Sequence, residues 1–146
     1  TGEGAALARA QGAAHVLNHR EAGYLDQLGL ITNGGPDIII EMLANQNLDN
    51  DLAVLARNGR IVIVGSRGRT EIDPRRIMGK EATVRGTAFW NLAENDLARI
   101  HADMARGFED GTLSPVVGRE LPLADAAVAH RLVLEPGARG KIVLVA

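Results

Sequence analysis

The sequence contains no cysteine. That removes disulfides, a thiolate-held metal and a cysteine nucleophile from consideration, and it fits a reducing compartment, with the cytoplasm as the default. Neither sign of charge dominates: 16 Lys and Arg stand against 18 Asp and Glu, for a formal net charge of -2. Because the signs are interspersed, there is no basic stripe for nucleic acid and no acidic tail, so bulk charge does not select a partner. No apolar run approaches the ~20 residues of a spanning helix, and residues 1–4 lack the basic start and apolar centre of a signal peptide. No membrane address is expected. The chain opens on Thr1 rather than Met, so the expectation is that this residue is not a translational start.

What remains is a chain of 146 residues, 46% apolar and 23% charged. It is enough for one ordinary domain that buries roughly 70% of its unfolded surface. Residues 3–11 are rich in helix formers, and Gly12 follows where a helix C-terminal glycine belongs. Residues 15–18 read as a short strand, residues 21–30 as a helix, and Asn33-Gly34-Gly35-Pro36 as a turn. Residues 37–41 carry Ile38-Ile39-Ile40, a β-branched apolar run suited to a strand covered on both faces of a parallel sheet. A helix over 48–57 ends at Asn58-Gly59, and residues 60–65 form a second strand of the same kind. A short helix at 75–79 after Pro74 leads to a third strand at 83–89, then a long amphipathic helix at 94–108. The tail adds an apolar segment at 113–117, a helix at 123–135 and a closing strand at 141–145. Strands alternating with helices of this length imply βαβ units, a parallel sheet and right-handed crossovers with helices on both faces. The fold class is α/β, with a boundary near Gly111 where the alternation loosens.

Three stretches, residues 12–21 (GAAHVLNHRE), 37–47 (DIIIEMLANQN) and 60–68 (RIVIVGSRG), resemble zeta-crystallin-type quinone oxidoreductases of the medium-chain dehydrogenase/reductase superfamily. Residues 72–75, Lys80-Glu81, Gly86-Thr87 and Gly140-Lys141 extend the resemblance over essentially the whole chain. The resemblance implies a dinucleotide-binding Rossmann half, doubly wound with strand order 3-2-1-4-5-6, inserted into a GroES-like catalytic domain. On that reading residues 1–111 are the C-terminal part of the dinucleotide-binding domain and residues 112–146 are a tail returning to the catalytic domain. Residues 15–18 become the third strand, and the segments starting at Asp37, Arg60 and Thr83 the fourth to sixth. The first two strands and their Gly-rich turn are then expected ahead of Thr1. No G-x-G-x-x-G occurs in the chain, and Gly2 and Gly4 enter a helix without following a strand.

In open α/β sheets ligands lie at the carboxyl ends of the strands. His19 follows the third strand, where the resemblance implies contact with the adenosine end of the cofactor, and Arg20 beside it offers a permanent cation to a phosphate. Asn45 and Asn47 follow the fourth strand with amides able to donate and accept; the resemblance favours Asn47 for ribose or nicotinamide, and plain loop asparagines are the alternative. Val64, Gly65, Ser66 and Arg67 end the fifth strand with close backbone approach, a hydroxyl and a cation, although an ordinary strand-to-loop turn uses the same glycines. Thr87, Ala88 and Phe89 leave the sixth strand, where the resemblance implies backbone groups holding the nicotinamide carboxamide; Trp90 reads as packing.

No catalytic side chain and no metal ligand is assigned. His15, His101 and His130 lack companion ligands at metal spacing, and Arg67, Arg69, Arg75 and Arg76 are diluted by Glu71, Asp73 and Glu81 into a solvated surface. Glu94, Asp96, Glu109 and Asp110 read as solvated charges rather than an acid and base pair. The resemblance implies NADPH as cofactor, a quinone as substrate, zinc-free chemistry, and a homodimer paired through the edge strand at 83–89. It also implies that the chain is inactive by itself. A structural, crystallin-like or interaction module without turnover is the alternative. A receiver-like domain is weaker, for want of its early acidic cluster.

Overall fold

Asn33, Gly34 and Gly35 all take positive φ, at 49°, 123° and 107°, a left-handed run that only Gly and Asn tolerate well. At Gly35 a Cβ would meet the Val54 carbonyl oxygen at 2.0 Å. This turn delivers the chain into the first strand. The computed structural model describes residues 2–135, 137 and 139–146, and they divide into two compact units, residues 19–93 and residues 1–18 with 94–146.

The unit of residues 19–93 runs α2 (Tyr24–Thr32), β1 (Ile38–Glu41), α3 (Ala44–Val54), β2 (Arg60–Ile63), α4 (Pro74–Lys80) and β3 (Thr83–Gly86). The three strands form one parallel sheet in the order β1-β2-β3, with Ile38 opposite Arg60 and Arg60 opposite Thr83. The core is Ala44, Leu48, Leu52 and Leu55 from α3 and its C-terminal cap against Ile61 of β2. Ile39, Ile63, Ile77 and Val84 pack around it.

Here the coverage departs from expectation. Strands adjacent in sequence are adjacent in the sheet, and crossovers of one hand then place successive helices on one face. Ile61 accordingly meets residues of α3, and Ile77 of α4 packs against the same cluster. Ile38 and Ile40, on the opposite face, are 59% and 60% exposed. The apolar run at 38–40 is thus covered on one side within this unit, not on both.

The other unit holds α1 (Gly2–Ala10), α5 (Glu94–Glu109), β4 (Val117–Pro122), α6 (Ala126–Leu132) and β5 (Lys141–Val145). Strands β4 and β5 pair in parallel from Val117 and Lys141 to Pro122 and Val145, with a register shift between Val117 and Arg119. The apolar segment expected at 113–117 therefore continues into a strand that carries Arg119 and Glu120. Both are exposed, which a two-stranded sheet tolerates because pairing with β5 outweighs local pattern. Residues 15–18 form no strand. Among those residues, no helix is long and apolar enough to cross a membrane.

Candidate functional site

The carboxyl ends of β1, β2 and β3 all belong to the unit of residues 19–93, and hydrogen bonds join the loops that follow β1 and β2. The chain leaves β1 at Glu41 and enters α3 at Ala44 with only Met42 and Leu43 between. The residue at the helix N-cap, Leu43, has no side chain able to cap. Glu41 supplies the capping group from the strand end: its Oε1 accepts from the Leu43 N–H. The same carboxylate takes the Asn47 side-chain amide, with Nδ2 at 3.2 Å from Oε1 and 3.3 Å from Oε2. A negative charge here also complements the positive end of the helix dipole. Glu41 is only 6% exposed.

Beyond β2 the Val64 and Gly65 N–H groups donate to the Glu41 carbonyl at 2.8 and 3.2 Å, and the Gly65 carbonyl accepts from Ala44 N–H at 2.9 Å. The two loops run so close that a Cβ on Gly65 would lie 2.3 Å from the Met42 carbonyl oxygen. The Asn45 Oδ1 accepts from the Arg67 N–H at 2.9 Å, and Ser66 Oγ donates to the Gly68 carbonyl at 3.1 Å. The Arg67 side chain is exposed and has no carboxylate partner among the described residues. Past β3, the Thr87 N–H donates to the Ile63 carbonyl at 3.0 Å, extending the ladder by one step. Ala88 is half-buried and Phe89 exposed, at the start of a 3-10 turn (Phe89–Asn91). Trp90 is 86% exposed rather than packed as its position suggested.

The structure thus brings Asn47, on the first turn of α3, together with Val64, Gly65, Ser66 and Arg67 on the loop after β2, and places Thr87, Ala88 and Phe89 at the end of the neighbouring strand. His19 and Arg20 lie exposed in a turn ahead of α2 instead of directly after a strand, because residues 15–18 are not one. Glu41 and Asp51 are the site residues that sequence reasoning missed, while Asn45, named there beside Asn47, holds the Arg67 N–H. The spacing of Glu41 to Asn47 carries a signal only once the strand is known to end at Glu41 and the helix to begin three residues later.

Asp51 stands one turn beyond Asn47 on α3. Burial, and then the hydrogen bond and negative charge of Glu41, push its carboxyl up to about 7 from an ordinary 3.8. Its Oδ2 is buried without a hydrogen-bond partner among the described residues. A buried carboxyl beside a carboxylate holds its proton more tightly, since two adjacent negative charges are costly in a poorly hydrated site.

No set of three or more His, Asp or Glu side chains is placed to hold a metal ion among the described residues. The backbone donors, amides, hydroxyl and guanidinium of the site are suited to bind and orient a polar, partly anionic ligand.

A sequence model of the family described as zinc-binding dehydrogenase matches residues 11–144. The chain is 42% identical over 147 aligned residues to a quinone oxidoreductase of Sus scrofa, covering 99% of this chain and 45% of that protein. A quinone oxidoreductase of Homo sapiens is 41% identical over the same share of both. The chain spans less than half the length of these relatives. An NAD-dependent alcohol dehydrogenase structure superposes with a TM-score of 0.87 at 26% identity, over 100% of this chain and 42% of that one. A mycobacterial protein complexed with NADPH gives a TM-score of 0.85 at 22% identity, over 100% of this chain and 47% of that one; at that identity the likeness concerns the fold.

Proposed function

The chain belongs to the zinc-binding dehydrogenase family, and from that premise we propose that it forms part of an NADPH-dependent quinone oxidoreductase. The observation that carries the proposal is the 42% identity, over 99% of the chain, to a protein named for that activity. The stitched loops after β1 and β2 supply a site of suitable chemistry. The Arg67 guanidinium suits a phosphate, the Asn47 amide suits a ribose hydroxyl or carboxamide, and the close backbone at Gly65 keeps side chains out of the cleft. Val64 and Ser66 complete that edge, with Thr87, Ala88 and Phe89 offering backbone groups to the nicotinamide end. His19 and Arg20 are assigned to the adenosine and its phosphate.

The reduced nicotinamide, when bound, supplies the reducing equivalent that a quinone takes up. The chain's own residues bind and orient, and none is assigned as acid or base. A zinc ion does not fit these residues, because the sequence has no cysteine and the described residues form no cluster of metal ligands; no step is routed through a metal. We assign residues 1–111 to the dinucleotide-binding domain and residues 112–146 to the tail of the catalytic domain. We also assign a cytoplasmic location and a homodimer paired through β3. The reading of a non-enzymatic interaction module has one observation in its favour, the uncovered sheet face at Ile38 and Ile40.

The test is steady-state quinone reduction by the full-length protein with NADPH and with NADH, repeated in Arg67→Ala and Arg20→Ala. Loss of the Arg20 contact to the adenosine phosphate, which NADH lacks, is expected to raise KM for NADPH about tenfold, since a charged hydrogen bond contributes about 1.5 kcal/mol or more, while KM for NADH changes little; loss of Arg67 is expected to raise KM for both. Absence of any NAD(P)H-dependent quinone reduction defeats the proposal, and an unchanged cofactor preference in Arg20→Ala removes Arg20 from it.

A further inference from the structure

We propose that Glu41 is the positioning residue for Asn47, and that it acts as half of a carboxyl pair in which Asp51 carries the shared proton. The functional half of this inference rests on the assignment of Asn47 as a cofactor contact. The structural half stands on the two Asn47–Glu41 hydrogen bonds and on the buried, unpartnered Oδ2 of Asp51.

Both oxygens of Glu41 lie within hydrogen-bond distance of one atom, the Asn47 Nδ2. An amide has a donor end and an acceptor end. With its nitrogen on a carboxylate, the group is fixed one way round, because the flipped form would set Oδ1 against a negative charge. Asn47 is thereby left with its carbonyl oxygen as the available acceptor, and the ligand group it serves is a hydrogen-bond donor, such as a ribose hydroxyl or a carboxamide N–H. A loop asparagine without this partner has no such preference.

Asp51 follows Asn47 at the i, i+4 spacing that puts two side chains on one helix face. Its buried Oδ2 has no donor aimed at it. A carboxylate oxygen in that position is costly, whereas a protonated Asp51 carboxyl has a proton to share with its hydrogen-bonding neighbour Glu41, and one proton then serves both groups. The elements packed around α3 offer no competing cation. Arg75 is engaged by Asp73, Arg76 by Asp49, and Lys80 by the carbonyls of Ala53 and Leu55. The remaining groups on neighbouring elements, Tyr24 and Asp26 on α2 and Arg60 on β2, do not shift Asp51, on which only burial and Glu41 act. Loss of the proton sets two negative charges side by side and disturbs the carboxylate that orients Asn47.

The experiment uses the full-length protein with 15N-labelled asparagine. The Asn47 side-chain amide signals are expected to shift with a midpoint near pH 7 in the wild type and to stay constant in Asp51→Asn, whose amide donates to Glu41 at every pH. Titration of NADPH by fluorescence over pH 6 to 8 is expected to show affinity falling about tenfold as pH rises. Asp51→Asn should hold the tight value throughout. Glu41→Gln should weaken binding at all pH values, with KM rising and kcat unchanged, while circular dichroism stays native. Amide signals that do not titrate overturn the carboxyl pair. A pH trend in binding that survives in Asp51→Asn belongs to other groups, the cofactor's own phosphates included, and also overturns the proposal. If the amide titrates but Asn47→Ala binds NADPH normally, the cofactor assignment of Asn47 fails and the functional half falls with it, leaving the carboxyl pair standing.

Discussion

Gly65 shows how a single backbone position sets the site. The loops after β1 and β2 are held together through the Glu41 and Gly65 carbonyls, and a methyl group at Gly65 would approach the Met42 carbonyl oxygen to 2.3 Å. The conflict is between backbone and Cβ, so no rotamer relieves it and one loop has to move. Gly65→Ala is therefore expected to destabilise the protein by roughly 2 kcal/mol or more, read as a lower urea midpoint with unchanged slope. A midpoint within error of wild type would show that the loops part freely and that their stitching does not fix the site. At this scale the sequence was partly legible. Val64 to Arg67 stood out because a glycine ending an apolar strand signals close approach. Glu41 and Asp51 did not, since each acquires its role from a partner elsewhere: Glu41 reaches Asn47, and Asp51 meets Glu41. Asn45 and Asn47 were both named, and both amides are engaged, Asn45 with the Arg67 N–H and Asn47 with Glu41.

The elements themselves were easier to read, because periodicity and punctuation are local. Asp73-Pro74 before α4 is a clear case: the Asp73 side chain accepts from the Arg75 N–H at 3.0 Å, and Pro74 occupies the first helical turn, where its missing N–H costs nothing. The Arg75 guanidinium and backbone N–H also hold the Asp73 carboxyl below its ordinary 3.8. A folded-state value below the unfolded one means that the stabilisation is present above the unfolded value and is lost as pH falls through the folded value. Asp73→Ala is expected to lower the thermal midpoint at pH 7, Asp73→Asn to lower it less because an amide oxygen still caps, and both differences should shrink as the pH is taken below 4. A difference that persists undiminished in acid would assign the effect to packing instead of charge. Elements were misread where pairing is not local. Residues 15–18 have the composition of a strand but form none. Ile38 and Ile40 have the composition of a doubly covered strand, yet α3 and α4 share one face. The strand at Val117–Pro122 extends beyond the segment expected at 113–117, and pairing with β5 is what makes it a strand.

At the scale of the molecule the balance of surface and core explains those misreadings together. The chain exposes 11014 Å², whereas two independent compact domains of half its mass would expose about 8,700 Å². Its unfolded form would expose about 22,500 Å², so roughly half of that surface is buried, not the 70% expected from length. The buried apolar side chains, Ala44, Leu48, Leu52, Leu55 and Ile61, all belong to the unit of residues 19–93. The outward edges of β1 and β3 are unpaired among the described residues, and unpaired edges with apolar flanks invite association. On the proposed reading these unpaired edges and exposed apolar faces are covered by the rest of the enzyme; the chain spans 45% of the length of the Sus scrofa relative. The same reading bears on the cofactor. A strand, Gly-rich turn and helix are the usual cradle for a pyrophosphate, and no G-x-G-x-x-G lies within these 146 residues. On the proposed reading, Asn47 and Arg67 hold only the edges of a dinucleotide. Calorimetry of the isolated 146-residue chain with NADPH is expected to give an affinity at least about 100-fold weaker than that of the full-length protein, since losing the pyrophosphate contacts removes several charge-assisted hydrogen bonds of about 1.5 to 3 kcal/mol each. Equal affinity in the two would mean that the phosphates are held by residues present here, with Arg20 and Arg67 the first to substitute, and that the missing cradle contributes nothing.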